Sequence, residues 1–255
     1  MEPSLSPIGM KMDDSQPKLI QNWHKNGECP QGTIPIRRTQ NHDFHRTFPS
    51  HWQEGQHYYP FGQPLGDHEY AFVSESGSTY YGAHTSFNVW NPKTEANEFS
   101  LSQIWVISDV TTLNIIEAGW MVNPGRYLDN QTRFFIYWTV QDVVLGYWPG
   151  SIFIDLADSS TIVTWGGEIA NVRSAQHHTT TQMGSGHFPF EGYGKSSFFY
   201  NLKVIDNSNT QQDPVSLQPY VTDSACYDLH VEENKNTNLG TYFYYGGLGY
   251  SAQCP

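Results

Sequence analysis

The sequence predicts an all-β protein, most simply one antiparallel sandwich, behind an N-terminal stretch with little regular structure. Three observations carry this expectation. Aromatic residues make up 15% of the chain and charged residues another 15%, a balance that suits many half-buried strands and not a disordered or coiled-coil chain. Short strand-like segments recur between Gly, Asn, Asp and Pro turns, as in sandwiches and barrels. Helical periodicity is scarce.

Taken in order, residues 1–65 are rich in Pro, Gln, His and charge, and Ile34-Pro35-Ile36 is their main apolar feature. A boundary is expected between Arg46 and Asp67. Strand patterns then cover Glu69 to Val73, Phe99 to Val106, Leu113 to Val122, Arg133 to Thr139, Ser151 to Asp155 with Thr161 to Trp165, and Ser197 to Asp206. A last strand, Tyr242-Phe243-Tyr244-Tyr245, ends on Gly246-Gly247, since aromatic residues favour the pleat and glycine supplies the positive φ of a turn. No fixed-period repeat or second linker divides the chain after His68, so residues 66–255 read as one domain.

Charge narrows the partners. The formal net charge is -12 and the largest basic cluster is Arg37-Arg38, so phosphate backbones are repelled and nucleic acid is not an expected partner. With no apolar run of about 18 residues, no transmembrane helix and no membrane partner are expected. The opening Met1-Glu2-Pro3-Ser4 lacks the basic-then-apolar form of a signal peptide. Few Lys and Arg residues also limit the positive charge that builds up at low pH, which suits an acidic compartment. Cys226 and Cys254 bracket an aromatic, glycine-rich segment in a way that suits an extracellular staple, and Cys29 is left over, its partner expected to be missing.

Most acidic residues, such as Asp142, Asp158 and Glu232-Glu233, sit in polar surroundings where solvation is their role. Glu117 and Glu168 differ. Strand alternation puts Glu117 in phase with Leu113 and Ile115, and Glu168 in phase with Ile162 and Thr164. A carboxylate among apolar neighbours is desolvated and its pKa rises. Two brought together split into one protonated and one charged group, able to run acid and base chemistry on one water, as in aspartic proteases or, more widely spaced, in glycosidases. Glycines beside both leave room for a substrate backbone. On spacing alone, a rim or edge position explains either glutamate as well.

His177, His178, His187 and His230 lack H-x-x-x-H or H-E-x-x-H spacing, so no metal is expected. Gly184-Ser185-Gly186 lacks the full nucleophile-elbow pattern. The Gln182 side-chain amide is a candidate donor to a developing oxyanion, with packing in a polar turn as the plainer role. Asn130-Gln131-Thr132 is a glycosylation sequon in what reads as an exposed turn.

Several long motifs resemble the neprosin domain of plant secreted proteins with the end of its activation propeptide. Asn26 to Thr39 (NGECPQGTIPIRRT) resembles the signature closing the family's propeptide. Tyr80-Tyr81-Gly82-Ala83, Asn88 to Pro92, Glu98 to Trp105, Ile116-Glu117-Ala118-Gly119-Trp120, Gly146 to Pro149, Trp165 to Ile169, His178 to Phe188, Cys226-Tyr227-Asp228 and Cys254-Pro255 follow in family order.

The resemblance implies a sandwich of two antiparallel sheets, secretion, no cofactor, and a glutamic peptidase that uses two glutamates and an activated water to cleave peptides after proline at acid pH. Its partners would be a proline-containing substrate and its own propeptide, residues 1–65, which covers the cleft until removed at acid pH. Motif by motif, the catalytic glutamates fall on Glu117 and Glu168, with Trp120 and Trp165 beside them as substrate-binding candidates. Relatives carry a further stretch between Tyr-Trp-Thr and Gly-Tyr-Trp-Pro. Here Tyr137-Trp138-Thr139 reaches Gly146-Tyr147-Trp148-Pro149 directly, an apparent internal deletion near 140–145 expected to expose sheet edges. The alternatives are a peptide- or carbohydrate-binding sandwich without turnover, and glycoside hydrolysis with Trp120, Trp148 and Trp165 stacking on sugar rings.

Overall fold

A computed structural model describes residues 68–111, 113–140, 155–172, 177–232 and 239–255. The propeptide expectation for residues 1–65, Cys29, the shortened connection near 140–145, Trp148 and the strand expected from Ser151 to Ile154 lie outside the described residues. Among the described residues the protein is almost all β, with 51% in strands and 4% in helix, in two antiparallel sheets that close no barrel. Among the described residues, no helix is long and apolar enough to cross a membrane.

The larger sheet contains β1 (His68–Tyr80), β3 (Ser100–Ser108), β4 (Asn114–Val122), β5 (Arg133–Val140), β6 (Ser160–Ala170) and β9 (Gln218–Val221). Its spatial order is β5-β4-β3-β6-β1-β9. The smaller sheet runs β10-β11-β7-β2, with β8 also pairing β7; it comprises β2 (Gly82–Phe87), β7 (Ser197–Ile205), β8 (Gln211–Gln212), β10 (Asp228–Glu232) and β11 (Tyr242–Gly246). Between β4 and β5, Pro124–Tyr127 forms a one-turn helix, α1. Asn123 caps it, its Oδ1 accepting from the Arg126 N–H, and Pro124 sits in the first turn, where its missing N–H is no loss.

Alternation sorts the side chains of the larger sheet onto two faces. Ala71, Val73, Val163, Trp165 and Ile169 point inward, against Phe199, Leu202, Phe243 and Tyr245 of the smaller sheet. Phe72, Leu101, Trp105, Ile107, Ile115 and Ile162 occupy the other face, where they form a second buried apolar cluster. With both faces covered, β6 is buried along almost its whole length. The smaller sheet turns outward an aromatic row of Phe198, Tyr200, Tyr242 and Tyr244, whose neighbouring ring centroids lie 5.4–5.9 Å apart.

β5 is an edge strand of the larger sheet, and its Phe134 is 74% exposed. Cys226 and Cys254 form a disulfide with Cα atoms 5.0 Å apart, 28 residues apart in sequence. Both cysteines are buried in the inter-sheet core. By loop-closure entropy such a bond contributes about 3–4 kcal/mol. Cys226→Ser with Cys254→Ser is expected to lower unfolding stability by that amount in urea melts. An unchanged midpoint would show that β10 and β11 hold the C terminus without it.

Candidate active site

The register of the larger sheet decides whether the two glutamates meet. Trp105 of β3 lies opposite Glu117 of β4, and Leu101 of β3 lies opposite Glu168 of β6. Leu101, Gln103 and Trp105 alternate along one strand and share a face, so Glu117 and Glu168 share it too. That face is the outer one, away from the smaller sheet. The two residues stand diagonally across β3. Two strand spacings and four residues of rise separate their Cα atoms by about 16 Å on a flat sheet. This is a wide pair, not two carboxyls sharing one proton.

Their carboxyl groups interact across that gap. Burial is the main cause that pushes Glu117 up to about 8, and the charge of Glu168 is the second. Glu117 as a residue keeps a partly exposed edge, but its carboxyl is deep enough for desolvation to dominate. Glu168 is also raised by burial, while His68 opposes the rise. His68 Nδ1 lies 2.7 Å from Glu168 Oε1, where an N–H donates to the carboxylate. The ionisation order follows: Glu168 carries the charge and Glu117 keeps the proton.

Gln103 lies between them. It is fully buried, and its side-chain oxygen and nitrogen complete no hydrogen bond of normal geometry among the described residues. Its amide is close enough to Glu117 to favour the ionised form. Directly opposite Gln103 on either side stand Gly119 and Gly166. A Cβ on Gly119 would come within 1.9 Å of Ser102 O, and one on Gly166 within 2.4 Å of Ala71 O. The strands approach too closely there for any other residue, so no side chain stands directly across from Gln103 on either neighbouring strand.

Aromatic rings wall the same face. Trp105 lies beside Glu117, and Phe72 packs 6.3 Å from Trp105 and 5.0 Å from Tyr220. Tyr70 is the cross-strand neighbour of Glu168. Burial and then the charges of Glu168 and Glu117 hold its phenol protonated well above the ordinary range.

Other expected site residues fall elsewhere. Trp120 and Trp165 each lie three positions from a glutamate, so alternation sends them to the inner face. Both are buried, and the Trp120 Nε1–H donates to Asn88 O at 3.0 Å. Neither reaches the glutamates, which corrects their expected place in the site. Trp165→Ala is therefore expected to cost about 3–5 kcal/mol of stability by opening the inner core. Trp165→Phe should leave KM for a peptide within twofold; a large KM rise would return the ring to the site.

Gln182 links two loops instead. Its Oε1 accepts from the Lys93 N–H at 2.9 Å, and its own N–H donates to Lys93 O at 2.8 Å. Its amide also lies against Gly186, where a positive φ and the lack of a Cβ admit it. Asn130 sits in an exposed turn ahead of β5, and the sequon hydroxyl of Thr132 donates to Trp90 O at 2.6 Å.

His178 belongs to a separate polar cluster. Its Nε2 lies 2.7 Å from Glu69 Oε1, which also accepts from Asn171 Nδ2 at 2.6 Å. Glu98 accepts from Thr179, Thr181 and the Val172 N–H. Together they fasten the loop after β6 to the start of β3. His178 approaches Cys226 and Cys254 within 4.8 Å, but those sulfurs are committed to the disulfide. His177 contacts His178 O, His187 pairs with Glu191, and exposed His230 lies 3.8 Å from Glu232.

His68, Gln103, Tyr70 and Trp105 were not singled out from sequence. The available signal was the alternation of Leu101, Gln103 and Trp105, with a polar residue amid apolar ones, but strand pairing is needed to aim it at the glutamates.

In comparison with known families, the profile described as Neprosin matches residues 96–144 and 139–248. Both glutamates fall inside it. The two stretches overlap at residues 139–144.

Proposed function

This chain belongs to the Neprosin family, and from that premise we propose that it is a glutamic endopeptidase that hydrolyses peptide bonds after proline. The family relates it to peptidases. The observation that carries the finer reading is the shared face of Glu117 and Glu168 with their unequal environments.

In this reading Glu168, charged and oriented by His68, removes a proton from water as the oxygen attacks the scissile carbonyl carbon. The carbonyl π electrons move to oxygen. Glu117, still protonated, then donates its proton to the amide nitrogen as the C–N bond breaks, releasing an acid and an amine. Glu168 ends with the proton and Glu117 without it, and exchange with solvent restores both. The diagonal spacing supports this use, because a water and a peptide group must both fit between the carboxyls. The aromatic walls suit a flat, apolar proline ring.

Such a site needs release from cover before substrate enters. We propose that the propeptide, residues 1–65, gives that cover and is removed at acid pH, and that the protein is secreted. The sequon at Asn130 and the disulfide support secretion.

Incubating acid-treated protein with proline-rich peptides and, separately, with oligosaccharides tests the reading. Mass spectrometry is expected to find new C-terminal prolines and intact sugars. Peptides bound but never cut would favour a binding sandwich, and sugar cleavage would favour a glycosidase.

A further inference from the structure

We propose that Gln103 is a further catalytic residue, whose side-chain amide binds the oxyanion formed when water adds to the scissile carbonyl. The inference rests on the peptidase reading and deepens it.

Position is the first argument. Gln103 stands on β3, the strand between the two that carry the glutamates, two residues from the position opposite each of them. An attacking water near Glu168 and a leaving nitrogen near Glu117 put the reacting carbon over β3, where Gln103 projects.

Hydrogen bonding is the second. A fully buried amide with both polar atoms lacking a hydrogen bond of normal geometry is costly and calls for an explanation. A donor held only loosely beside Glu117, able to turn to a charge that exists only during reaction, is such an explanation. It needs no reorganisation when the charge appears. Gly119 and Gly166 add no side chain at the two positions directly across from it.

The chemistry is the third argument. An amide donates without titrating, so it serves across the whole range in which Glu168 is ionised and Glu117 is protonated. As water attacks, the carbonyl π pair becomes the negative charge on oxygen, and Gln103 Nε2–H donates to that oxygen. When the charge returns to re-form C=O, the C–N bond breaks and Glu117 protonates the departing nitrogen. Gln103 gains and loses no proton.

The test uses Gln103→Met in the full chain, because methionine fills a similar volume without a donor. The expected result is a loss of about 10²–10³-fold in kcat with KM within threefold. Thermal stability should be unchanged or higher, since replacing a buried, unsatisfied amide with an apolar side chain removes its desolvation cost. A proline peptide carrying a phosphinate in place of the scissile amide should bind Gln103→Met about 10²-fold more weakly than the parent. A Gln103→Met variant that matches the parent in kcat and phosphinate binding overturns this role alone. So does one whose lost activity is accounted for by a lowered melting temperature. A parent chain that neither cuts the peptide nor binds the phosphinate overturns the peptidase reading, and this inference with it.

Discussion

Replacing Glu168 with Gln is expected to reduce peptide cleavage by at least about 10²–10⁴-fold, the range spanned by a lost general base. The volume is kept and the charge is removed, so the fold should survive. Glu117→Gln is expected to reduce cleavage by a similar factor, but by a different route, since it leaves the base intact and removes the proton donor. Discontinuous assays of a proline-containing peptide, with circular dichroism to check folding, measure both. A peptide whose leaving group needs little protonation, such as a nitroanilide, should partly restore Glu117→Gln and leave Glu168→Gln inactive. Equal recovery of both would contradict the division of roles. Full activity in either variant removes that residue from the mechanism.

The second large effect is on stability. The folded protein holds the Glu117 proton up to about pH 8, whereas the unfolded chain releases it near 4.3. Below the lower value both states are protonated and the shift has no influence. Between the two values the folded state binds more proton than the unfolded one, so stability falls as pH rises. The full difference is on the order of 5 kcal/mol, which for a chain of this size corresponds to a melting temperature roughly 10–20 °C lower. Glu117→Gln has no such titration. Its melting temperature should therefore exceed the parent's at pH 8.5 and approach it at pH 4.5. Parallel curves for the two proteins across that range would show that the buried carboxyl is not strained. The same proton sets the activity window, with turnover falling as Glu117 ionises near pH 8.

Much of this architecture was legible in the sequence because strand alternation is a local property. β3, β4, β5 and β7 lie within a residue or two of their expected limits. β1 and β6 run much longer, since both faces of their sheet are buried and pairing continues through Gly166-Gly167. β2, β9 and β10 escaped notice: they are short, part-exposed strands, and β2 and β9 take their stability from partners far away in sequence.

At the site, phase alone placed Glu117 with Ile115 and Glu168 with Thr164, and the register confirmed that the two faces are one. The same phase argument, carried three residues further, sends Trp120 and Trp165 to the inner core. His68 and Gln103 could not be found that way. Their roles depend on which strand lies beside which, and that is fixed by tertiary pairing between segments about 15 to 100 residues apart by the register of β3 with β4 and β1 with β6.

The coupled, unequal ionisation of the two glutamates is most directly tested by following their side-chain carboxyl signals by carbon-detected NMR through a pH titration. The account predicts that Glu168 titrates first, that Glu117 follows near pH 8, and that Glu168→Gln moves the Glu117 midpoint down. Glu117 titrating near the ordinary carboxylate value, or unmoved by Glu168→Gln, would contradict it.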